Sequence, residues 1–138
     1  MNAYSEWKHD DIFEAVSESG NTITFDTGAH TQGPTPVEAV LMALCACTSV
    51  DVVSILRKKR QEITGLRVSA TGERAEDHPK IFTTIHLTYT IRGKVDRKAA
   101  EDAVHLSKTK YCSVSQMLEG KARIDYEIVL EDGESAAA

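Results

Sequence analysis

The sequence predicts an α+β fold with a mostly antiparallel sheet and a long, buried central helix. Three observations carry this. Apolar residues alternate with polar ones in short runs near both ends and through the middle of the chain. The stretch GPTPVEAVLMALCACTSVDVVSILRKKR, residues 33–60, carries helix signals and is almost wholly apolar in its first half. The element order these patterns give, β-β-β-α-β-β-α-α-β, clusters the strands and does not strictly interleave the helices, which is the α+β arrangement.

Tyr4 to His9, Ile12 to Val16 and Thr22 to Phe25 alternate and are separated by Asp10-Asp11 and by Ser19-Gly20-Asn21, so they predict two hairpins and a small meander. The loop DTGAHTQGP leads to the long helix. Thr35 is its predicted N-cap, Pro36 its first residue, and Glu38 completes a Thr-x-x-Glu capping box. The helix is expected to end near Arg60. Two strands follow, with Leu66, Val68 and Ala70 on one face of the first and Ile81, Ile85, Leu87, Tyr89 and Ile91 on one face of the second. Asp96 opens a second helix to about Lys108, which places Ala99, Ala100, Ala103, Val104 and Ser107 on one side. Ser113-Val114-Ser115-Gln116 is a capping-box pattern for a short third helix, stopped by Gly120. Ala122 to Leu130 alternates as a half-buried strand, and the tail from about residue 131 to 138 is expected to fray.

The 138 residues predict a single domain, with a core large enough to need no disulfide or metal staple. A net charge of −5 and a pI near 5.5 argue against a nucleic-acid partner. The basic cluster Arg57-Lys58-Lys59-Arg60 complements the negative end of the helix dipole. The first residues lack an apolar stretch with a positive flank, so the protein is expected in the cytoplasm, where its three cysteines stay reduced. The uncharged run from Ala39 to Val50 falls short of the roughly 20 residues a bilayer requires, so no membrane span is expected. A helix apolar on all sides needs covering on all sides, which predicts a homodimer with this helix near its centre.

Cys45 and Cys47 lie about 200° apart around the helix and cannot bond to one another. Each is a small buried hydrophobe by default. Cys112 precedes a helix start, where unpaired N–H groups favour a thiolate, and Lys108 and Lys110 add to that effect. One thiol on the central helix and an ionisable one at another helix's start are what a two-cysteine redox cycle needs.

The pair of motifs TPVEAVLMALCACTSVDVVSIL and YCSVSQML resembles the OsmC/Ohr family of thiol-dependent hydroperoxide reductases, and the element order resembles that fold over nearly the whole chain. The match is to an OsmC-like branch of little-characterised bacterial proteins. In the family a Pro begins the central helix and the peroxide-reactive cysteine lies eleven residues on, as Pro36 and Cys47 do here. The resolving cysteine opens a short helix in a C-P-V-S type motif, which Cys112-Ser113-Val114-Ser115 resembles. The resemblance implies that Cys47 attacks an organic hydroperoxide, that Cys112 traps the resulting sulfenic acid as a disulfide, and that a dithiol reductant reopens it. It also implies an intertwined homodimer; no cofactor is expected.

The chain departs from the family's pattern in two places. No Arg precedes Arg57, and Val37 stands ten residues before Cys47, where the family has a Glu. Glu38 is one residue late and, nine residues from Cys47, falls on the opposite side of the helix. Asp51, four residues after Cys47, shares its face. Glu38 and Asp51 are the supporting candidates, and Lys8, His9 and His30 are candidate cations. The five histidines show no i, i+4 pairing, so no metal site is expected. His86 is expected on a sheet surface, and Trp7 and Phe13 in the core or a pocket wall. Two other readings stay open: a non-catalytic protein of this fold binding a small apolar ligand, and a redox sensor or thiol-transfer protein without fast peroxide turnover.

Overall fold

A computed structural model describes residues 1–132, and the chain divides into two units, Met1–Met42 and Ala43–Ala138. In the first unit β1 (Ala3–His9), β2 (Ile12–Ser17) and β3 (Thr22–Asp26) pair in order as an antiparallel meander, as the alternation predicts. Asp10 and Gly20 turn the chain with positive φ angles of 45° and 87°. The loop after β3 is organised by the buried carboxylate of Asp26, which accepts N–H bonds from Gly28 (3.0 Å), Thr31 (3.1 Å) and Gln32 (3.2 Å). Burial alone would raise the Asp26 pKa, but these backbone donors outweigh it and hold the carboxyl below its usual range.

The capping box closes as read. Glu38 N–H donates to Thr35 Oγ1 at 3.1 Å and Thr35 N–H donates to Glu38 Oε1 at 2.9 Å, starting α1 (Pro36–Lys58). At the other end Arg60 takes a left-handed φ of 59°, with Arg60 N–H bonded to the Arg57 carbonyl and Gln61 N–H to the Leu56 carbonyl. That pair of bonds is a Schellman motif, which stops the helix two residues before the expected end.

In the second unit β4 (Glu62–Arg74), β5 (Phe82–Lys94) and β6 (Arg123–Glu131) form a three-stranded sheet with β5 in the centre. β4 runs antiparallel to β5, whereas β6 runs parallel to it, which gives the antiparallel architecture one parallel pair. A parallel neighbour needs a long crossover. α2 (Arg97–Leu106), a single π-turn (Ser107–Tyr111) and α3 (Ser113–Leu118) supply it. Ile85, Leu87, Tyr89 and Ile91 of β5 are buried on one face, opposite Leu66, Val68 and Ala70 of β4 and Ile124, Tyr126, Ile128 and Leu130 of β6. The α2 residues Ala99, Ala100, Ala103 and Val104, together with Ser107, are buried as the helical spacing predicts. On the sheet's outer face His86 sits between Asp125 and Glu127; the first of these, then the second, raises the imidazole's pKa.

Two expectations are corrected. Ile81 is exposed and Phe82 is buried in its place, because the β4/β5 register shifts between Glu73 and Arg74 and flips the faces there. Glu131 is the last residue of β6 and pairs with Arg92 at 3.4 Å, so the strand continues into the expected tail; residues 133–138 lie outside the described part. Within its own chain α1 is buried on one side, as an apolar helix that one modest sheet cannot cover is expected to be. Leu44, Thr48, Val52 and Leu56, spaced four apart, are sealed inside the second unit, whereas Met42 is 58% and Val50 69% exposed. An 18-residue window of this 23-residue helix has a mean hydropathy of 2.2, so by length and composition alone it could cross a bilayer. Its sealed row, and the hydrogen bond that Asp51 receives from Ser107, show one side of it packed as a protein core helix.

Candidate thiol site

Cys47 is half-buried on α1 and Cys112 is fully buried where the π-turn meets α3. They are 65 residues apart in the chain, and their side chains lie near one another. Local structure explains how Cys112 gets there. Its N–H donates to the Ser107 carbonyl at 2.8 Å, the wide i to i−5 bond of a π-turn. Its own sulfur then caps α3 by accepting the Ser115 N–H at 3.4 Å. The cap is therefore Cys112 itself and not Ser113, as the Ser-x-x-Gln pattern had suggested. Ser115 Oγ adds a bond to the Cys112 carbonyl at 3.1 Å.

The expected lowering of the Cys112 pKa is reversed. Burial pushes the thiol above its ordinary value and the neighbouring Cys47 adds to the rise, against an opposing pull from the Ser115 N–H. The two lysines do not help. Lys108 pairs with Glu119 at 2.9 Å, and Lys110 lies over the Tyr111 ring, 5.2 Å from its centroid. Cys45 is half-buried on α1, and burial raises its pKa too.

The supporting candidates part company. Glu38 belongs to the first unit, where the Thr35 N–H first, with the Thr35 hydroxyl and His30, holds its carboxyl below the usual range. Asp51 receives the Ser107 hydroxyl at 2.8 Å and joins the second unit's polar core. Of the candidate cations, Lys8 pairs with Glu6 and Glu14, His9 hydrogen-bonds Asp10, and His30 acts on Glu38.

The sequence reading did not assign Thr48, Tyr89 and Ser107 to the site. Thr48 Oγ1 lies 2.7 Å from Tyr89 Oη and 2.8 Å from Ser107 Oγ, and all three residues are buried. Burial pushes the Tyr89 pKa up to about 12, with Cys112 and Cys45 near enough to contribute. Tyr126 packs edge-on against the Tyr89 ring, with centroids 6.0 Å apart. A signal was available, since a tyrosine on the inward face of a strand and a threonine in an apolar helix must both find polar partners.

The model of the OsmC-like protein family matches residues 28–127. Protein YhfA of Escherichia coli strain K12 is 42% identical over 132 residues, covering 94% of this chain and 98% of that protein. The crystal structure of a hypothetical protein from Aquifex aeolicus VF5 superposes with a TM-score of 0.81 at 36% identity, covering 94% and 96% of the two chains. An organic hydroperoxide resistance protein, OsmC, of Legionella pneumophila shares the fold, with a TM-score of 0.70 over 94% of this chain and 97% of that one at 12% identity. With the family model spanning most of the chain and a 42% identical relative covered almost end to end, the chain belongs to the OsmC-like protein family.

Proposed function

We propose that this protein reduces organic hydroperoxides with its own thiols, Cys47 attacking and Cys112 resolving. The observation that carries this is the approach of two remote thiols, one half-exposed and one sealed. The first is partly open to solvent, and the second is sealed from it. The Cys47 thiolate attacks the outer oxygen of ROOH; the O–O bond breaks, the alkoxide takes a proton and leaves as ROH, and sulfur is oxidised to sulfenic acid. The Cys112 sulfur then attacks the Cys47 sulfur, hydroxide leaves as water with the thiol's proton, and a disulfide forms. A small dithiol returns both cysteines to thiols and becomes a disulfide. The cytoplasm, which keeps thiols reduced, suits this cycle.

The test is dithiol oxidation driven by tert-butyl hydroperoxide in wild type and in Cys47→Ser. Wild type should turn over and the variant should fall to the uncatalysed background. Equal rates would remove the peroxidase reading. A Cys47–Cys112 disulfide that forms without dithiol turnover would favour the redox sensor instead.

The same reading includes a homodimer. The exposed side of α1 carries an apolar-floored groove of about 640 Å³ lined by Ser49, Val50, Val53, Ser54, Arg57 and Lys58. Sedimentation should give twice the 15.1 kDa of one chain, and Val50→Arg should shift it to one. A single-chain mass for the wild type would reject the dimer.

A further inference from the structure

Thr48 follows Cys47 directly in α1, and Ser107 holds Cys112 through its carbonyl. The hydroxyls of these two residues meet at 2.8 Å. A short path therefore runs from the Cys47 backbone through the Thr48 side chain to Ser107, and through the Ser107 carbonyl to the Cys112 backbone. It is anchored at both sides. Tyr89 Oη, from the central strand β5, meets Thr48 at 2.7 Å, and Ser107 donates to Asp51 Oδ2 at 2.8 Å.

Counting protons fixes the direction of every bond. The Ser107 hydroxyl donates its hydrogen to Asp51 Oδ2. The Ser107 oxygen must then accept from Thr48, and the Thr48 oxygen from Tyr89. Each hydroxyl donates once, so the chain Tyr89 to Thr48 to Ser107 to Asp51 is fully used, and none of its hydrogens is left over for a sulfur. Such chains strengthen one another in a poorly polarisable interior, and removing one member leaves its neighbours buried without partners.

We propose that this chain is a strut that sets the separation of the Cys47 and Cys112 sulfurs, with Thr48 and Ser107 as positioning residues for disulfide formation. The proposal rests on the reading of these two cysteines as a redox pair, but it concerns their geometry and can be measured without peroxide. Disulfide bonding tolerates only a narrow range of Cα spacing. A misplacement of about 1 Å between reacting groups can cost on the order of a hundredfold in rate. A bond between the residue beside one cysteine and the residue that holds the other is well placed to fix that spacing.

The experiment uses the Cys45→Ser background, which leaves a single pair of thiols. The dithiol and disulfide forms are brought to equilibrium in mixtures of reduced and oxidised glutathione, which reports the effective concentration of one thiol at the other. Thr48→Val should lower it by about tenfold or more. Thr48→Ser, which keeps the hydroxyl, should return it to within about threefold of the parent. Tyr89→Phe removes only the first donor and should give a smaller fall in the same direction, so the proposal stays testable should the valine variant not fold. Hydroxyls that merely stabilise the fold would lower the unfolding midpoint and leave the equilibrium of the folded protein unchanged. An unchanged equilibrium in Thr48→Val and Tyr89→Phe overturns the strut, whatever the peroxide assay gives. A parent that forms the disulfide from glutathione but does not consume hydroperoxide overturns the proposed activity and leaves the strut standing. A parent that forms no such disulfide overturns both.

Discussion

Cys112→Ala is expected to hold the protein at the sulfenic acid of Cys47 after a single encounter with an organic hydroperoxide. The Cys112 side chain is fully sealed and within reach of Cys47, so no solvent thiol replaces it at comparable effective concentration. Dithiol-supported turnover should fall by about a hundredfold or more, the scale on which an oriented partner exceeds a free one. A dimedone-type reagent should label Cys47 in the variant and fail to label it in the wild type at the same delay. Wild-type turnover in Cys112→Ala would mean that the external dithiol resolves the sulfenic acid directly.

The same step fixes a pH dependence. In the proposed cycle the attacking species is the Cys112 thiolate, and burial, with Cys47 beside it, raises that thiol's pKa. Below the raised value the thiolate fraction grows about tenfold for each unit of pH. Disulfide closure should therefore accelerate from neutral to alkaline conditions and level off only above the ordinary thiol range. Rapid-mixing measurements of closure at several pH values would detect this. A rate flat from pH 6 upwards would mean that the proton leaves before the attack is limiting.

Ile91→Ala carries the largest expected loss of stability, about 2–5 kcal/mol. Ile91 is fully buried in the middle of β5, opposite Leu66 on one side and Leu130 on the other. Truncation removes apolar surface from three strands at once and leaves a cavity that a sheet cannot easily close. Urea denaturation should show a lower midpoint with an unchanged slope. A loss below about 1 kcal/mol would contradict a close-packed layer at this position.

Periodicity made most of the local structure legible. The meander β1 to β3, the Thr35/Glu38 cap and the buried side of α2 all follow from patterns that extend over a few neighbouring residues. What escaped depends on longer range. The parallel placement of β6 was implied by two helices between it and β5, yet alternation of side chains is the same in either direction. The register shift that exposes Ile81 involves Glu73, across the turn, and leaves no local mark on the alternation. The thiol partnership came from the resemblance of two motifs, because nothing local ties residue 47 to residue 112. The helix start beside Cys112 was placed one residue late, and its effect on the thiol was overestimated, since one N–H does not outweigh complete burial. Thr48, Tyr89 and Ser107 join across 41 and 59 residues, and a hydroxyl gives no hint of such a partner until the elements are packed.

The edges of the second sheet have a consequence for solubility at high concentration. β4 forms one rim and is broken in register twice, between Ile63 and Gly65 and again between Glu73 and Arg74. β6 forms the other, with Arg123, Asp125 and Glu127 at alternate positions along it. An incoming strand meets irregular spacing on one rim and a row of charge on the other, and neither is a template on which fibres grow.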